Sequence, residues 1–387
     1  MVEMKKYKLY EVSDYVTSKV STSQLSLQDY VTTDCLLQNK CGRECAENLP
    51  PKSAKVTAYK PGDILISNIR PYLKKIWYAN SEGGNSADVL TIRAKENFEK
   101  LYIYYMLFQD SFFDYVSKGV KGSKMPRGDK NHIMNFEILV PENLQVQKKI
   151  ASTLSDFDKR IENLRAQNRV LEQTAKTIYD YTFLQCAGHQ TTYNKTLNRN
   201  IPAGWEVKKL SEIANITMGQ SPEGSSYNEI GNGKIFYQGC TDFGVMFPTP
   251  RLYTTAPTRF AKVNDILMSV RAPVGTLNIA NTECCIGRGL AALNAKEGSN
   301  VFLYYVMKNF ENHFKNAFSM GTTFGSITKN DLYDLPVLFP DSKTLELFSM
   351  QVSPLFKKQL VNSQQIETLT TQRNTLLPLL MTGQIEV

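Results

Sequence analysis

The sequence predicts an α+β fold, with two pseudo-repeated mixed α/β domains separated by two long antiparallel coiled-coil helices. Three observations carry this prediction. The 387-residue chain repeats its own landmarks at an offset that drifts only between 199 and 202 residues. Each repeat alternates short apolar runs with Gly, Pro and Asn turns, the texture of short strands. After the last proline of each repeat the texture changes to an unbroken heptad seam.

The repeat is the first element to justify, because self-similarity at a fixed period decides architecture. Lys8-Leu9-Tyr10-Glu11-Val12-Ser13-Asp14 is answered by Lys209-Leu210-Ser211-Glu212-Ile213-Ala214-Asn215, and Gly62-Asp63-Ile64-Leu65 by Asn264-Asp265-Ile266-Leu267. Arg70-Pro71 answers Arg271-Ala272-Pro273, and Ile76 to Glu96 aligns without gaps to Leu277 to Glu297. Tyr104-Tyr105 matches Tyr304-Tyr305, and Lys130-Asn131 then Pro141 matches Lys329-Asn330 then Pro340. Each half is therefore expected to run through strands such as 63–67 and 265–269. A helix follows near 101–116 or 301–318, then a Gly-rich loop and a final strand at 136–140 or 335–339.

From Ile150 the apolar positions step by four and three through Leu154, Phe157, Ile161, Leu164, Asn168, Leu171, Ala175, Ile178 and Thr182. The second half repeats the seam through Phe348, Val352, Leu355, Gln359, Asn362, Ile366, Leu369, Arg373, Leu376 and Leu380. A helix over 146–187 would span roughly 60 Å, more than one small domain can cover. Pro354 is tolerated near a first turn, and Pro378 is expected to kink or loosen the last one. With the helices antiparallel and midpoints opposed, Asn168 lands beside Asn362, and Leu154, Ile161, Leu164 and Ile178 meet apolar partners. Phe157/Arg373, Leu171/Gln359 and Thr182/Phe348 remain mismatched. Such a pair would put the two domains at opposite ends, related by a pseudo-twofold axis.

Composition narrows the class. There is no run of eighteen apolar residues and no apolar core in the opening Met1 to Tyr7, so no membrane span or signal peptide is expected and the cytoplasm is the expected compartment. Seven scattered cysteines, an odd number, do not form a disulfide framework. Cys35, Cys41 and Cys45 cluster without a C-x-x-C pair or a histidine, which argues against zinc. A formal charge of +8 permits a polyanionic partner without requiring one.

On this duplicated frame the chain resembles the specificity subunits of Type I restriction-modification systems, over nearly its whole length. The resemblance rests on Trp205-Glu206-Val207-Lys208-Lys209-Leu210, Val270-Arg271-Ala272-Pro273-Val274-Gly275, Gly287-Arg288-Gly289-Leu290 and Leu376-Leu377-Pro378-Leu379-Leu380-Met381-Thr382-Gly383. Ile161-Glu162-Asn163, Leu171-Glu172 and Ile178-Tyr179 look like the family's central conserved region. The first half lacks the Ile201-Pro202-Ala203-Gly204-Trp205 lead-in, so its reading surface belongs to a different subclass.

The resemblance implies target-recognition domains at 1–145 and 201–341, spacer helices at 146–187 and 342–387, and a linker at 188–200. It also implies partners: double-stranded DNA, each domain reading half of an asymmetric bipartite target; two methyltransferase subunits docked on the helices; and motor-nuclease subunits. S-adenosylmethionine, ATP and Mg are then expected only on those partner subunits, and this chain carries no cofactor, metal or catalytic residue.

Candidate DNA contacts follow from charge and loop chemistry. Lys118, Lys121, Lys124, Arg127 and Lys130 place a cation at every third position of a glycine-rich stretch. A loop could lay these along a phosphate backbone; the alternative is a merely solvated loop. Its counterpart offers Thr322 and Thr323. Arg70 and Arg271 occupy matching positions after a strand, where arginine suits guanine, phosphate or a carboxylate of the fold equally. Gln220, Ser221, Tyr227 and Gln238 lie in turn-rich segments open to a reader. The tyrosine pairs are expected in the core.

The rival functions are a stand-alone methyltransferase or nuclease and a coiled-coil scaffold. Asn48-Leu49-Pro50-Pro51-Lys52 has the wrong order and no aromatic for an extruded adenine. Asp341 and Glu346 lack the lysine of a magnesium nuclease. His132, His189 and His313 are too dispersed for acid–base machinery. A scaffold leaves the duplicated β-rich domains unexplained. The purified chain alone is therefore expected to transfer no methyl group from labelled S-adenosylmethionine to DNA; transfer without partners would establish the enzyme reading.

Overall fold

A computed structural model describes residues 3–121, 125–186, 190–297, 299–319 and 326–386. The chain divides into two compact units, Met1–Glu162 with Glu367–Val387, and Asn163–Ile366. Each unit joins one repeat to a stretch of both long helices, Leu144–Tyr179 and Ser342–Met381. Among the described residues no helix is long and apolar enough to cross a membrane.

In the first unit, strand Met4–Lys8 pairs antiparallel with Glu137–Pro141 and ties the two ends of the repeat together. An antiparallel sheet runs in the order Ser13–Tyr15, Val89–Ala94, Ile64–Ser67, Ile76–Tyr78. A second sheet orders Lys19–Ser21, Lys55–Tyr59, Gly83–Asn85, Tyr30–Val31. The helical stretch expected as one piece is two, Lys100–Phe108 and Asp110–Lys118, because Gln109 takes an extended ψ of 150°. These helices bury Tyr102, Tyr105, Phe108, Phe112 and Phe113.

The second unit repeats that order. Glu206–Lys209 pairs with Pro336–Phe339, and the first sheet runs Ala214–Met218, Leu290–Ala295, Ile266–Ser269, Leu277–Ile279. Its other sheet has five strands, Tyr227–Asn228, Leu252–Thr254, Lys234–Tyr237, Cys284–Ile286 and Phe260–Ala261. Here the helix Asn300–Ser319 is a single piece. Within the segment read as a linker, Thr191–Asn194 pairs with Arg199–Pro202 as a hairpin. His313 and His189 fall on side chains outside those described.

The long helices meet in both units. In the first, Ile150, Ala151 and Leu154 share a core with Leu377, Leu380 and Met381. Tyr105 Oη donates to Asp158 Oδ2 at 2.6 Å, and Arg373 Nη1 bonds the other carboxylate oxygen. The Arg373 guanidinium also lies 4.7 Å over the Phe108 ring. The Phe157/Arg373 mismatch is thereby resolved one residue along the helix. Burial, with Asp158 beside it, drives the Tyr105 phenol far above its usual range, so it stays a donor.

In the second unit, Asn362 Nδ2 donates to Asn168 Oδ1 at 2.9 Å, and Gln359 Nε2 to Glu172 Oε2 at 3.2 Å. Tyr305 Oη donates to that same Glu172 oxygen at 3.0 Å. Tyr179 packs edge-on against Phe348, with ring centroids 6.0 Å apart. Partners of 168, 172 and 179 are thus 362, 359 and 348, a descending order that makes the stretches antiparallel. Phe348 finds the Tyr179 and Phe183 rings, so the Thr182 mismatch carries no penalty. The first helix ends in a π turn, Asp180–Leu184, and the second runs through Pro354 and Pro378 to a Gly383 cap at φ 70°.

Tyr104 and Tyr304 are buried beside the docking tyrosines, so both pairs are core. Asp158→Ala leaves a largely buried Arg373 cation without its acid, at a cost of about 3 kcal/mol. The expected result is a lower denaturant midpoint for the whole chain, with the exposed neighbour Asp156→Ala within about 0.5 kcal/mol of the parent.

Candidate nucleic-acid interface

Each repeat builds the same corner after its central strand. Ser67 Oγ donates to the Ile69 carbonyl at 3.0 Å, and Ser269 Oγ to the Arg271 carbonyl at 2.6 Å. The Asn68 N–H donates to Asp88 O at 2.8 Å, and the Val270 N–H to Gly289 O at 2.9 Å. On the other side, Gly128 N–H reaches Asn68 O at 3.1 Å, and Ile327 N–H reaches Val270 O at 2.9 Å. Isolated bridges then pair Ile69 with Arg127 and Arg271 with Ser326.

These bonds correct one sequence-based expectation. The position equivalent to Arg271 is Ile69, not Arg70. Arg70 stands one residue further on, exposed, at a left-handed φ of 50°, with its N–H on Pro126 O at 2.9 Å. Matching arginine to arginine slipped the register by one residue. The backbone pattern instead pairs Ser67 with Ser269 and Pro71 with Pro273. Across the bridge the arginine has changed strands, with Arg127 on one side in the first repeat and Arg271 on the other in the second.

The basic run is likewise not one open loop. Lys118 is the last residue of its helix, Val120–Lys121 pairs with Arg127–Gly128, and Lys130 begins the helix Lys130–Met134. Lys124, Thr322 and Thr323 lie outside the described residues. Lys118, Arg127 and Lys130 are exposed, and the Arg127 guanidinium is held 3.0 Å from Asp88 Oδ1 with 57% of its side chain still open. The hairpin forms because Gly119 can approach closely: a Cβ there would lie 2.1 Å from the His132 ring. That ring stacks on Tyr115 at 4.1 Å and hydrogen-bonds the Tyr115 carbonyl, so His132 is a packed residue.

In the second repeat three segments are pressed together by glycines. A Cβ on Gly219 would meet Gly287 O at 2.1 Å, one on Gly287 would meet Gln238 Cα at 2.9 Å, and one on Gly289 would meet Gln238 O at 2.6 Å. Only glycine permits that backbone contact. It gathers Gln220, Ser221 and Gln238 around the tight turn Gly287–Leu290, whose Arg288 N–H donates to Ser221 Oγ at 3.2 Å. Gln220, Gln238 and Arg288 are exposed. Tyr227 serves the fold, stacking on Phe236 at 4.8 Å and donating to Pro222 O at 2.9 Å. Arg288, exposed at this turn, is not among the candidates drawn from the sequence, although a cation flanked by two glycines is legible there.

Cys284 is fully buried, and burial pushes its thiol up to about 12, an inert form. Among the described residues no group of three His, Cys, Asp or Glu side chains could hold a metal ion. The glycine contacts make a local prediction. Gly289→Ala should cost about 1–3 kcal/mol by forcing a methyl against the Gln238 backbone. Gly224→Ala, facing open space, should leave the unfolding midpoint within about 0.5 kcal/mol of the parent.

Residues 1–173 and 202–371 each match the model of the Type I restriction modification DNA specificity domain. A Methanocaldococcus jannaschii protein named as the MjaX specificity subunit of a type I restriction enzyme is 32% identical over 344 residues, 84% of this chain and 79% of that one. The HindI specificity subunit of Haemophilus influenzae is 20% identical over the full length of both chains. The crystal structure of a Type-I restriction-modification system S subunit from M. genitalium shares the fold, with a TM-score of 0.59 over 98% of this chain and 96% of that one at 16% identity. With both repeats matched by the family model, this chain belongs to the family of DNA-specificity subunits of Type I restriction-modification systems.

Proposed function

We propose that each repeat reads one half of an asymmetric, bipartite duplex target, and that the paired long helices set the unread gap and dock two methyltransferase subunits. Motor-nuclease subunits complete the complex, and S-adenosylmethionine, ATP and Mg are bound on those partners. The chemistry on DNA is likewise theirs. The observation that carries this reading is the repeated corner with changed side chains: Ile69, Ala87 and Arg127 in the first half, Arg271, Arg288 and Ser326 in the second. One backbone frame displaying two different sets of cations suits two different half-sites. Two identical frames would suit a palindrome.

The polar contacts along the helix pair support a spacer role, because they allow one register and thus one length. The test lengthens that spacer. Insertion of one or two helical turns after Asn168, in the complex with methyltransferase subunits, is expected to lengthen the unmethylated gap in the host methylome while both half-sites keep their sequence. An altered half-site at the original spacing would overturn the assignment.

A further inference from the structure

Tyr105 and Tyr305 are each 1% exposed, and their hydroxyls donate to acids of the first long helix, Asp158 Oδ2 at 2.6 Å and Glu172 Oε2 at 3.0 Å. The tyrosine recurs in both repeats at the same place, but its acceptor does not. Eight residues along the first seam from Ile150 stands Asp158; eight along the second from Phe348 stands Phe356. Phe356 offers no acceptor and packs on Tyr304 instead, with ring centroids 5.5 Å apart. The Tyr305 bond is made to Glu172, on the other helix. In each unit the acid is also held by the facing helix, Asp158 by Arg373 and Glu172 by Gln359. The same three-way tie, a domain to both helices, is thus built twice from different residues.

Each domain has another tie near the start of the long helix that follows it. Gln147 accepts from the Glu99 N–H at 2.9 Å and donates to Pro141 O at 2.8 Å, and Trp205 Nε1 donates to Asp341 Oδ2 at 3.0 Å. Asp158 lies about 16 Å along the helix from Gln147, and Gln359, the partner of Glu172, about 25 Å beyond Ser342. Two ties set apart in this way fix a tilt that one tie leaves free. The apolar packing between them is non-directional, whereas a hydrogen bond holds both distance and angle. A domain of about 140 residues is roughly 35 Å across, so tilting it by about 6° moves its far edge by the ~3.4 Å rise of one base pair. Building on the proposed reading of a bipartite target, we infer that Tyr105 and Tyr305 are positioning residues: they hold each domain at one tilt and make the complex strict about the number of base pairs between its half-sites. Neither touches a base. A duplex of the wrong gap length is met either by breaking a tyrosine–acid bond or by deforming the DNA, and both are costly.

The test uses the full chain assembled with methyltransferase subunits. Sequencing the bound members of a pool of random-sequence duplexes gives the parent's two-part motif. Affinity is then compared between that motif and duplexes with one base pair added to or removed from its gap. Tyr105→Phe and Tyr305→Phe each remove one hydroxyl and keep the ring. Each should narrow the preference for the correct gap by roughly 10- to 150-fold, the worth of one hydrogen bond to a charged acceptor, with both half-site sequences unchanged. Tyr102→Phe is the control for a merely structural role. It removes an equally buried hydroxyl from the same helix as Tyr105, but one whose partner, Leu139 O at 2.9 Å, lies inside the domain. It should lower the unfolding midpoint and keep the parent's gap. Glu172→Gln leaves an acceptor for Tyr305 and should keep that gap as well. A parent indifferent to one base pair of gap, an unchanged preference in either Tyr105→Phe or Tyr305→Phe, or an equal relaxation in Tyr102→Phe would overturn the inference and leave the bipartite reading standing. A parent complex that selects no two-part motif would overturn the bipartite reading itself.

Discussion

A polar group taken out of water costs about 1–3 kcal/mol if it is left unpaired. The seam between the two long helices carries several such groups where a plain heptad would carry leucines. Asn362 and Gln359 are almost completely buried, and Arg373 has only 11% of its side chain exposed. Each finds a partner on the facing helix: Asn168, Glu172 and Asp158. A slip by one turn would strand all three. The amide oxygens of Gln359 and Asn362 still lack partners, so this row contributes register more than stability.

The same carboxylates serve a second purpose. Tyr105 and Tyr305, the second member of each repeated tyrosine pair, place their hydroxyls on Asp158 and Glu172. Both acids stand on the first long helix, Asp158 in its first half within one unit and Glu172 near its end within the other. The helix register and the docking of each repeat therefore share hydrogen-bond partners. A change in either disturbs the other. Desolvation, with the carboxylate beside each, holds both phenols protonated and therefore as donors.

Duplication preserved the backbone and released the side chains. The strand order of the first sheet, the closing strand pair and an ion pair beside it, Lys8 with Glu137 or Lys209 with Asp334, recur in both repeats. So do the serine, amide and carbonyl bonds of the corner. What changed is the row those bonds display. In the first repeat an aspartate at position 88 braces Arg127; in the second, glycine at the aligned position 289 lets the Gln238 backbone approach and Arg288 stand free at the turn. The side chains of this corner can change in this way without disturbing the strands beneath.

The sequence by itself determined the architecture, because duplication, strand-length alternation and heptad spacing are local patterns that survive divergence. It also determined the helix direction and the Asn168–Asn362 midpoint, since a seam of known period has few registers. Tertiary structure decided what depends on atoms brought together from distant segments. It placed Arg373 on Asp158 and Gln359 on Glu172, each beside rather than on the seam position that heptad counting lines up. It put Ile69 rather than Arg70 opposite the place of Arg271, and divided the basic run between two helix ends and a hairpin. It also gathered Arg288 with Gln220 and Gln238, which are 68 and 50 residues away from it in the chain. Side-chain partners and backbone bridges act through space over a few ångströms, and a one-residue slip invisible to composition changes every one of them.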